Sequence, residues 1–146
     1  MRDTNGPFKL TIEAELQNLS VIADFISASM EQMEISKEEH GVQTAVGEAC
    51  TNVMKYAYSG KGGQITLTCE MKDHSLVVVI NDNGKPFDPG SVQQPDLDAS
   101  LEKRRIGGLG LYLMKKYMDE VTYSFKEDTG NTLVMKKMLT GTKQSP

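Results

Sequence analysis

Residues 64–82, which read QITLTCEMKDHSLVVVIND, are the most informative stretch of the sequence about the fold. The segments QITLTCEMK (64–72) and LVVVIND (76–82) have the composition of strands, and the residues KDHS where they meet are typical of a turn. This order predicts a β-hairpin, and with it the start of a sheet.

Upstream of the hairpin, the hydrophobic pattern predicts one strand and two helices. Apolar residues alternate over 8–16, which is the period of a half-buried strand. Over 18–34 they recur every three or four residues, which places them along one side of a helix. A second helix is expected to begin at a capping box of Ser36 and Glu39 and to run to about Tyr58, where glycines stop it.

Downstream of the hairpin, residues 83–106 contain three prolines and little periodicity. Such a stretch is typical of a functional lid or of a disordered linker, and we favour the lid. A third helix is expected over 109–118, and strands are expected over 120–126 and 131–139.

The order of these elements predicts an α+β fold. It is a two-layer α/β sandwich in which a mixed, mostly antiparallel sheet has three helices on one face. No linker divides the chain, so residues 8–139 are expected to form a single domain, and 140–146 a polar C-terminal tail.

Composition excludes several classes of protein. The 146 residues are 38% hydrophobic and 25% charged, which fits neither a disordered chain nor a membrane protein. The net charge of −4, without a basic run, disfavours nucleic acid as a partner. Cys50 and Cys69 do not form a CxxC pair, so a zinc site or a disulfide framework has little support. With no leader-like apolar segment at the start, we expect a cytoplasmic protein.

The second helix places three polar residues on one face. At 100° per residue, Glu48, Asn52 and Lys55 lie within a narrow sector of the helix. The opposite side is apolar and is expected to face the core; it consists of Val42, Val46, Ala49, Cys50, Val53 and Ala57. The polar sector is either a solvated surface or a ligand-binding stripe. Asn is a mediocre helix former, and its amide oxygen suits a hard cation such as Mg²⁺.

Two glycine-containing segments are candidates for ligand binding. Asp82 follows a buried strand and precedes Gly84 by two residues, so its carboxylate can accept a hydrogen bond from a ligand's amino group, although an Asx turn is the alternative. The run 107–110, GGLG, opens the third helix and suits phosphate, although a flexible hinge is the alternative. Neither a GxGxxG fingerprint nor a Walker loop fits this run. The basic residues 103–105 before it either contact phosphates or solvate the lid.

In their order and spacing, these elements resemble the nucleotide-binding boxes of the GHKL ATPases, a superfamily that includes DNA gyrase B, MutL, heat-shock chaperones and histidine kinases. EACTN (48–52) resembles the N box, DNGKPFDP (82–89) the first glycine box, GGLGL (107–111) the second, and GNT (130–132) the last box. The short chain, EACTN followed by AY, and NGKPFDP are similar to the anti-sigma factor serine/threonine kinases of bacterial partner-switching systems.

This resemblance implies a Bergerat fold that binds ATP and Mg²⁺. It assigns Glu48 as the catalytic base, Asn52 as the Mg²⁺ ligand, and Asp82 as the acceptor for the adenine amino group, with Gly84 allowing close approach. The remaining nucleotide-binding residues that it implies are Lys55, Phe87, Arg105, Gly107, Gly108, Leu109, Gly110, Leu111 and Thr132. Thr132 is expected to support the hydrogen bonding of Asp82.

The resemblance also implies a function. A kinase of this family phosphorylates a STAS-domain antagonist and sequesters a sigma factor or another transcription regulator; relatives are often homodimers. The alternatives are a non-catalytic, ATP-gated binding module and a detached histidine-kinase-like catalytic domain. The chain departs from the family pattern in having Tyr56 where relatives commonly carry His, and in lacking Lys or Arg over 18–34.

Overall fold

Among the residues that the structure describes, the sheet has five strands, each antiparallel to its neighbours. The computed structural model describes residues 5–91 and 109–139. The strands are β1 Phe8–Glu13, β2 Gln64–Lys72, β3 Ser75–Asp82, β4 Glu120–Lys126 and β5 Gly130–Met138. The hairpin over 64–82 is confirmed, with Lys72 opposite Ser75 at its turn. The strand order is β1-β2-β3-β5-β4. The four strand pairings among the described residues are all antiparallel, which confirms the mostly antiparallel sheet that was predicted; no parallel pair of the expected mixed kind occurs among those residues.

In the described part of the chain three α-helices accompany the sheet and confirm the α+β prediction. They are α1 Leu19–Gln32, α2 Glu39–Asn52 and α3 Leu109–Tyr117. Among the described residues, no helix is long and apolar enough to cross a membrane. Residues 92–108 of the predicted lid, and the predicted tail 140–146, lie outside the described residues.

The core lies between the helices and one face of the sheet. Alternate residues of the strands, such as Leu76, Val78 and Ile80 in β3, are buried there. The predicted core face of the second helix is also confirmed, because its six residues, four in α2 and two directly after it, are all buried. Burial of an apolar side chain contributes about 1.5–3 kcal/mol, so this shared interior favours the layered arrangement.

Two predicted boundaries were wrong. The first strand ends at Glu13 rather than at residue 16, because the chain turns there into a 3₁₀ helix, Leu16–Asn18, after its last register pair with Gln64. The expected capping box is also absent: Ser36 begins a short 3₁₀ turn, Ser36–Glu38, and no side chain caps either this turn or α2.

The end of the second helix differs from the regular helix that we expected. After Asn52 the chain continues as a π-helix, Val53–Ala57. A π-helix has a wider turn than an α-helix, so the angle of 100° per residue used above does not apply beyond Asn52. The hydroxyl of Tyr58 then donates to Gln64 O at 2.6 Å and accepts from Asn83 N at 2.9 Å, which ties this end to the strands.

Candidate functional site

Asp82 is a buried carboxylate at the end of β3. It is only 2% exposed, and its Oδ1 accepts hydrogen bonds from the backbone N–H of Gly84 at 2.8 Å and from Asn131 Nδ2 at 2.9 Å. Both bonds end on the same oxygen; Oδ2 accepts no hydrogen bond from residues 5–91 or 109–139. One oxygen is therefore engaged by the protein, and the other is available to a ligand.

Burial determines the electrostatics of this carboxylate. Desolvation raises the pKa of Asp82 above its usual value, and the hydrogen bonds from Asn131 and Gly84 partly oppose the rise. Burial also raises the pKa of the neighbouring Cys50 thiol to about 12, and the charge of Asp82 adds to the effect. The thiol is therefore neutral and the carboxylate is the only one of the two groups that can supply negative charge here.

A pocket with apolar walls lies over Asp82. It contains about 300 Å³ of empty space, including its open mouth. Its apolar lining comes from α2, the π-helix, β3, the segment after β3, α3 and β5: Ala49, Val53, Ile80, Phe87, Met114 and Leu133. Apolar walls with a few polar groups, here Asp82, Asn52 and Asn131, are typical of sites that bind a small organic molecule.

Gly84 brings the chain close to the end of the π-helix. A Cβ atom at Gly84 would lie 2.5 Å from the carbonyl oxygen of Ala57, a distance that no side chain tolerates. The neighbouring Lys85 N–H donates to that same oxygen at 2.9 Å. Glycine is therefore required by packing against Ala57, and this contact helps to hold Asp82 at the edge of the pocket.

The polar face of α2 meets the first turn of α3. A Cβ atom at Gly110 would lie 3.3 Å from both Glu48 Oε1 and Asn52 Nδ2. Glu48 and Asn52 are one helical turn apart, and Asn52 also lines the Asp82 pocket. Because the first N–H groups of a helix have no intrahelical acceptors, this junction combines backbone donors, a carboxylate and an amide.

This arrangement suits a ligand with two different ends. An amino-bearing ring fits the apolar pocket and Asp82, and an anionic group fits the N-terminus of α3. Among the described residues no three His, Cys, Asp or Glu side chains form a metal cluster. The amide oxygen of Asn52 is a suitable protein ligand for Mg²⁺. Phosphate and water would complete the coordination of the ion, as is usual for Mg²⁺.

Not all of the predicted site residues come together. Lys55 lies in the π-helix and is exposed, and it lines a separate groove beside Leu16 and Gly60. The prediction that it shares a face with Glu48 assumed a regular helix. Three further predicted residues, Arg105, Gly107 and Gly108, lie outside the described residues, and Leu109 is described only as the first residue of α3.

The expectation for Thr132 was wrong. Thr132 pairs with Asn81 in the β3–β5 register, and its hydroxyl accepts a hydrogen bond from Asn81 Nδ2 at 3.1 Å. Asp82 pairs instead with Asn131. Successive side chains of a strand point to opposite faces, so Thr132 lies on the face of the sheet away from Asp82.

Sequence reasoning missed Asn131, Tyr123 and the contact made by Tyr56. Asn131 bonds to Asp82, and the hydroxyl of Tyr123 donates to Asn131 Oδ1. Tyr56 stacks on Phe87 with ring centroids 4.7 Å apart and planes at 17°. Counting by twos from the apolar Leu133 would have placed Asn131 on the core face, but the contact of Tyr56 depends on the π-helix.

The sequence model of the histidine kinase-like ATPase domain matches residues 12–137 of this chain. This match covers most of the chain and agrees with the fold described above. The chain belongs to the histidine kinase-like ATPase family, the GHKL superfamily that the sequence resembles.

Curated relatives place the chain near one branch of that family. It is 30% identical to serine-protein kinase RsbW of Bacillus subtilis over 148 aligned positions, covering 97% of this chain and 91% of the relative. It is 31% identical to the protein of the same name from Bacillus pumilus, covering 95% and 90%. It is 27% identical to anti-sigma F factor of Clostridium kluyveri, covering 92% and 95%. The similarity to anti-sigma factor serine-protein kinases therefore extends over nearly the whole chain.

Proposed function

We propose that this protein is an ATP-dependent serine/threonine-protein kinase and an anti-sigma-type regulator. Its substrate is a serine or threonine hydroxyl on a STAS-domain antagonist, and in the alternative state it sequesters a sigma factor or another transcription regulator. One observation carries the proposal: Glu48, Asn52 and the first turn of α3 meet beside the pocket that contains Asp82. The names of the relatives, a serine-protein kinase and an anti-sigma F factor, support a serine acceptor and a sigma-factor partner.

Adenine binding is assigned to the buried pocket. The 6-amino group of adenine donates to Asp82, whose Oδ2 is not engaged by the described residues. Phe87 forms part of the wall, and Gly84 holds the loop against Ala57 so that the ring can enter. Because a buried carboxylate oxygen facing another acceptor is costly, a ligand amino group opposite Oδ2 of Asp82 is strongly preferred to a carbonyl oxygen.

Phosphate binding is assigned to the N-terminus of α3. The backbone N–H groups of Leu109, Gly110 and Leu111 belong to its first turn, and the helix dipole favours an anion there. Gly107 and Gly108, which precede Leu109 in the sequence, are proposed as further phosphate-binding residues, and Arg105 as a source of positive charge.

Phosphoryl transfer then requires a base and a cation ligand. Bound ATP supplies the phosphoryl group; Asn52 would hold Mg²⁺ through its amide oxygen, and the cation would supply positive charge beside the phosphates. Glu48 orients the attacking hydroxyl. As the hydroxyl oxygen bonds to the γ-phosphorus, the bond from that phosphorus to the bridging oxygen of ATP breaks, ADP leaves, and the hydroxyl proton passes to the carboxylate of Glu48.

The test compares two carboxylates on α2. Glu48→Gln retains shape but not basicity, and it should lower single-turnover transfer to a STAS-domain protein from the same genome by about 10² or more, with Mg·ATP binding retained. Glu39→Gln is the matched control, since Glu39 is also half-buried on α2 but lies at its start. Transfer by Glu48→Gln at the wild-type rate would place the base elsewhere.

The same samples separate the proposed kinase from its alternatives. A wild-type protein that binds ATP and the partner but transfers no phosphate is a non-catalytic, ATP-gated binding module. Transfer to a histidine in place of a hydroxyl identifies a detached histidine-kinase-like domain. We also propose that residues 8–139 suffice for nucleotide binding. We further propose that the protein is a homodimer, which sedimentation of the full chain with and without Mg·ATP will test.

A further inference from the structure

Asn131 is a buried side chain at the start of β5 that the proposed chemistry does not use. It is 4% exposed, and the register places it opposite Asp82. Its Nδ2 donates to Asp82 Oδ1 at 2.9 Å and to the carbonyl oxygen of Lys85 at 2.8 Å. Its Oδ1 accepts from the N–H of Phe87 at 3.0 Å and from the hydroxyl of Tyr123. Both donors and both acceptor positions of the amide are therefore occupied.

We propose that Asn131 is a positioning residue that joins the adenine-binding carboxylate of Asp82 to the segment 85–87. The amide of Asn131 thereby links recognition of the base by Asp82 to the position of the chain that follows β3. The inference rests on the proposed assignment of Asp82 to adenine, and it extends that assignment to a residue outside the predicted site.

The direction of the bonds explains how Asn131 would orient Asp82. Its Nδ2 and the N–H of Gly84 both bond to Oδ1, which limits rotation of the carboxylate and leaves Oδ2 as the oxygen for a ligand. A hydroxyl side chain has one donor, so it could not bond to Asp82 and to Lys85 O together. An aspartate at position 131 would have no donor at all when ionised and would face Asp82 with like charge.

Phe87 connects the same amide to the wall of the pocket. Its N–H is shared between Asn131 Oδ1 and the hydroxyl of Tyr123, each at 3.0 Å. Its ring lines the pocket on one side and stacks on Tyr56. Loss of the Asn131 amide therefore affects the carboxylate and the ring wall together, and buried networks of this kind are costly to leave partly satisfied.

The experiment replaces Asn131 with Asp and uses Asn81→Asp as the matched control. Asn81 is also an asparagine at the end of a paired strand, and its Nδ2 bonds to Thr129 O, Asn131 O and the hydroxyl of Thr132, on the opposite face of the sheet. Both substitutions exchange an amide for a carboxylate and remove a comparable set of donors. Only the first removes a donor to Asp82.

Affinities for ATP and for inosine triphosphate distinguish orientation from stability. Inosine has a carbonyl oxygen in place of the 6-amino group, so only ATP can donate to Asp82. We expect Asn131→Asp to weaken ATP binding by about tenfold or more while inosine triphosphate binding changes much less, because the lost orientation concerns the amino group. Asn81→Asp should leave the ratio of the two affinities at its wild-type value.

Amide hydrogen exchange tests the connection to the segment 85–87. In Asn131→Asp the N–H of Phe87 should exchange faster than in Asn81→Asp, because the new carboxylate loses the two donor bonds that hold the side chain in place and is repelled by Asp82, which displaces the acceptor oxygen. If Asn131→Asp does not fold, Asn131→Ser keeps a small polar group without adding charge and takes its place in both measurements.

The measurements test three claims separately: the positioning role of Asn131, its link to segment 85–87, and the assignment of adenine to Asp82. A folded Asn131 variant with the wild-type ratio of ATP to inosine triphosphate affinity overturns the positioning role. A changed ratio without faster exchange at Phe87 overturns the connection to segment 85–87. Asp82→Asn serves as the reference: if that variant also keeps the wild-type ratio, the assignment of adenine to Asp82 fails, independently of Asn131.

Discussion

The contact between Gly110 and the polar face of α2 leads to a prediction in which stability and nucleotide binding respond differently. Gly110→Ala introduces a methyl group 3.3 Å from Glu48 Oε1 and Asn52 Nδ2. Ordinary contacts lie at about 3.5–4.0 Å, so these two side-chain ends must move by a few tenths of an ångström. Alanine also favours a helix, so the free energy of unfolding should stay unchanged or rise slightly.

Nucleotide binding should respond in the opposite direction. The methyl group occupies the junction at which a phosphate would meet the first turn of α3. Loss of one hydrogen bond to a charged group costs about 1.5–3 kcal/mol, which corresponds to a weakening of Mg·ATP binding by about tenfold to 150-fold. Calorimetric titration with Mg·ATP gives this number, and urea denaturation gives the stability of the same sample.

Gly47→Ala is the matched control for this prediction. Gly47 also lies in a helix, and a Cβ atom there would have no neighbour within 4 Å. The substitution should raise the free energy of unfolding by about 1 kcal/mol without changing Mg·ATP affinity. If Gly110→Ala binds Mg·ATP within about twofold of Gly47→Ala, the N-terminus of α3 does not hold phosphate and the reasoning is refuted.

Three further predictions concern burial. Because burial raises the pKa of Asp82, the charged carboxylate destabilises the folded protein at pH 7, and Asp82→Asn should raise the free energy of unfolding of the nucleotide-free protein. Urea titrations should show that this gain shrinks as pH falls through the raised pKa, because the wild-type carboxyl then also becomes neutral. Burial raises the pKa of both Cys50 and Cys69 to about 12, so a thiol-specific reagent should modify neither in the folded protein and both in denaturant. Ile26→Ala, at a fully buried position, should cost about 2–5 kcal/mol by the same urea assay, whereas Leu16→Ala, at a position 66% exposed, should change stability by less than about 0.5 kcal/mol.

Local patterns along the chain determined most of the architecture. Alternation and helical spacing predicted α1, the central hairpin and the last two strands, because the buried face of each element follows from its own periodicity. The same logic identified the core side of α2. The order of the polar motifs then indicated the family, which the match over residues 12–137 established.

Which side chains surround Asp82 depends on strand register and helix geometry, which become visible only in the folded protein. The β3–β5 register pairs it with Asn131 and directs Thr132 to the other face, and a shift of one residue would have exchanged the two. In the π-helix after Asn52, Lys55 is exposed and lines a groove other than the Asp82 pocket, and Tyr56 stacks on Phe87. Register and helix geometry depend on contacts between distant segments, so a motif read along the chain specifies the residue types of this site but not which of them meet.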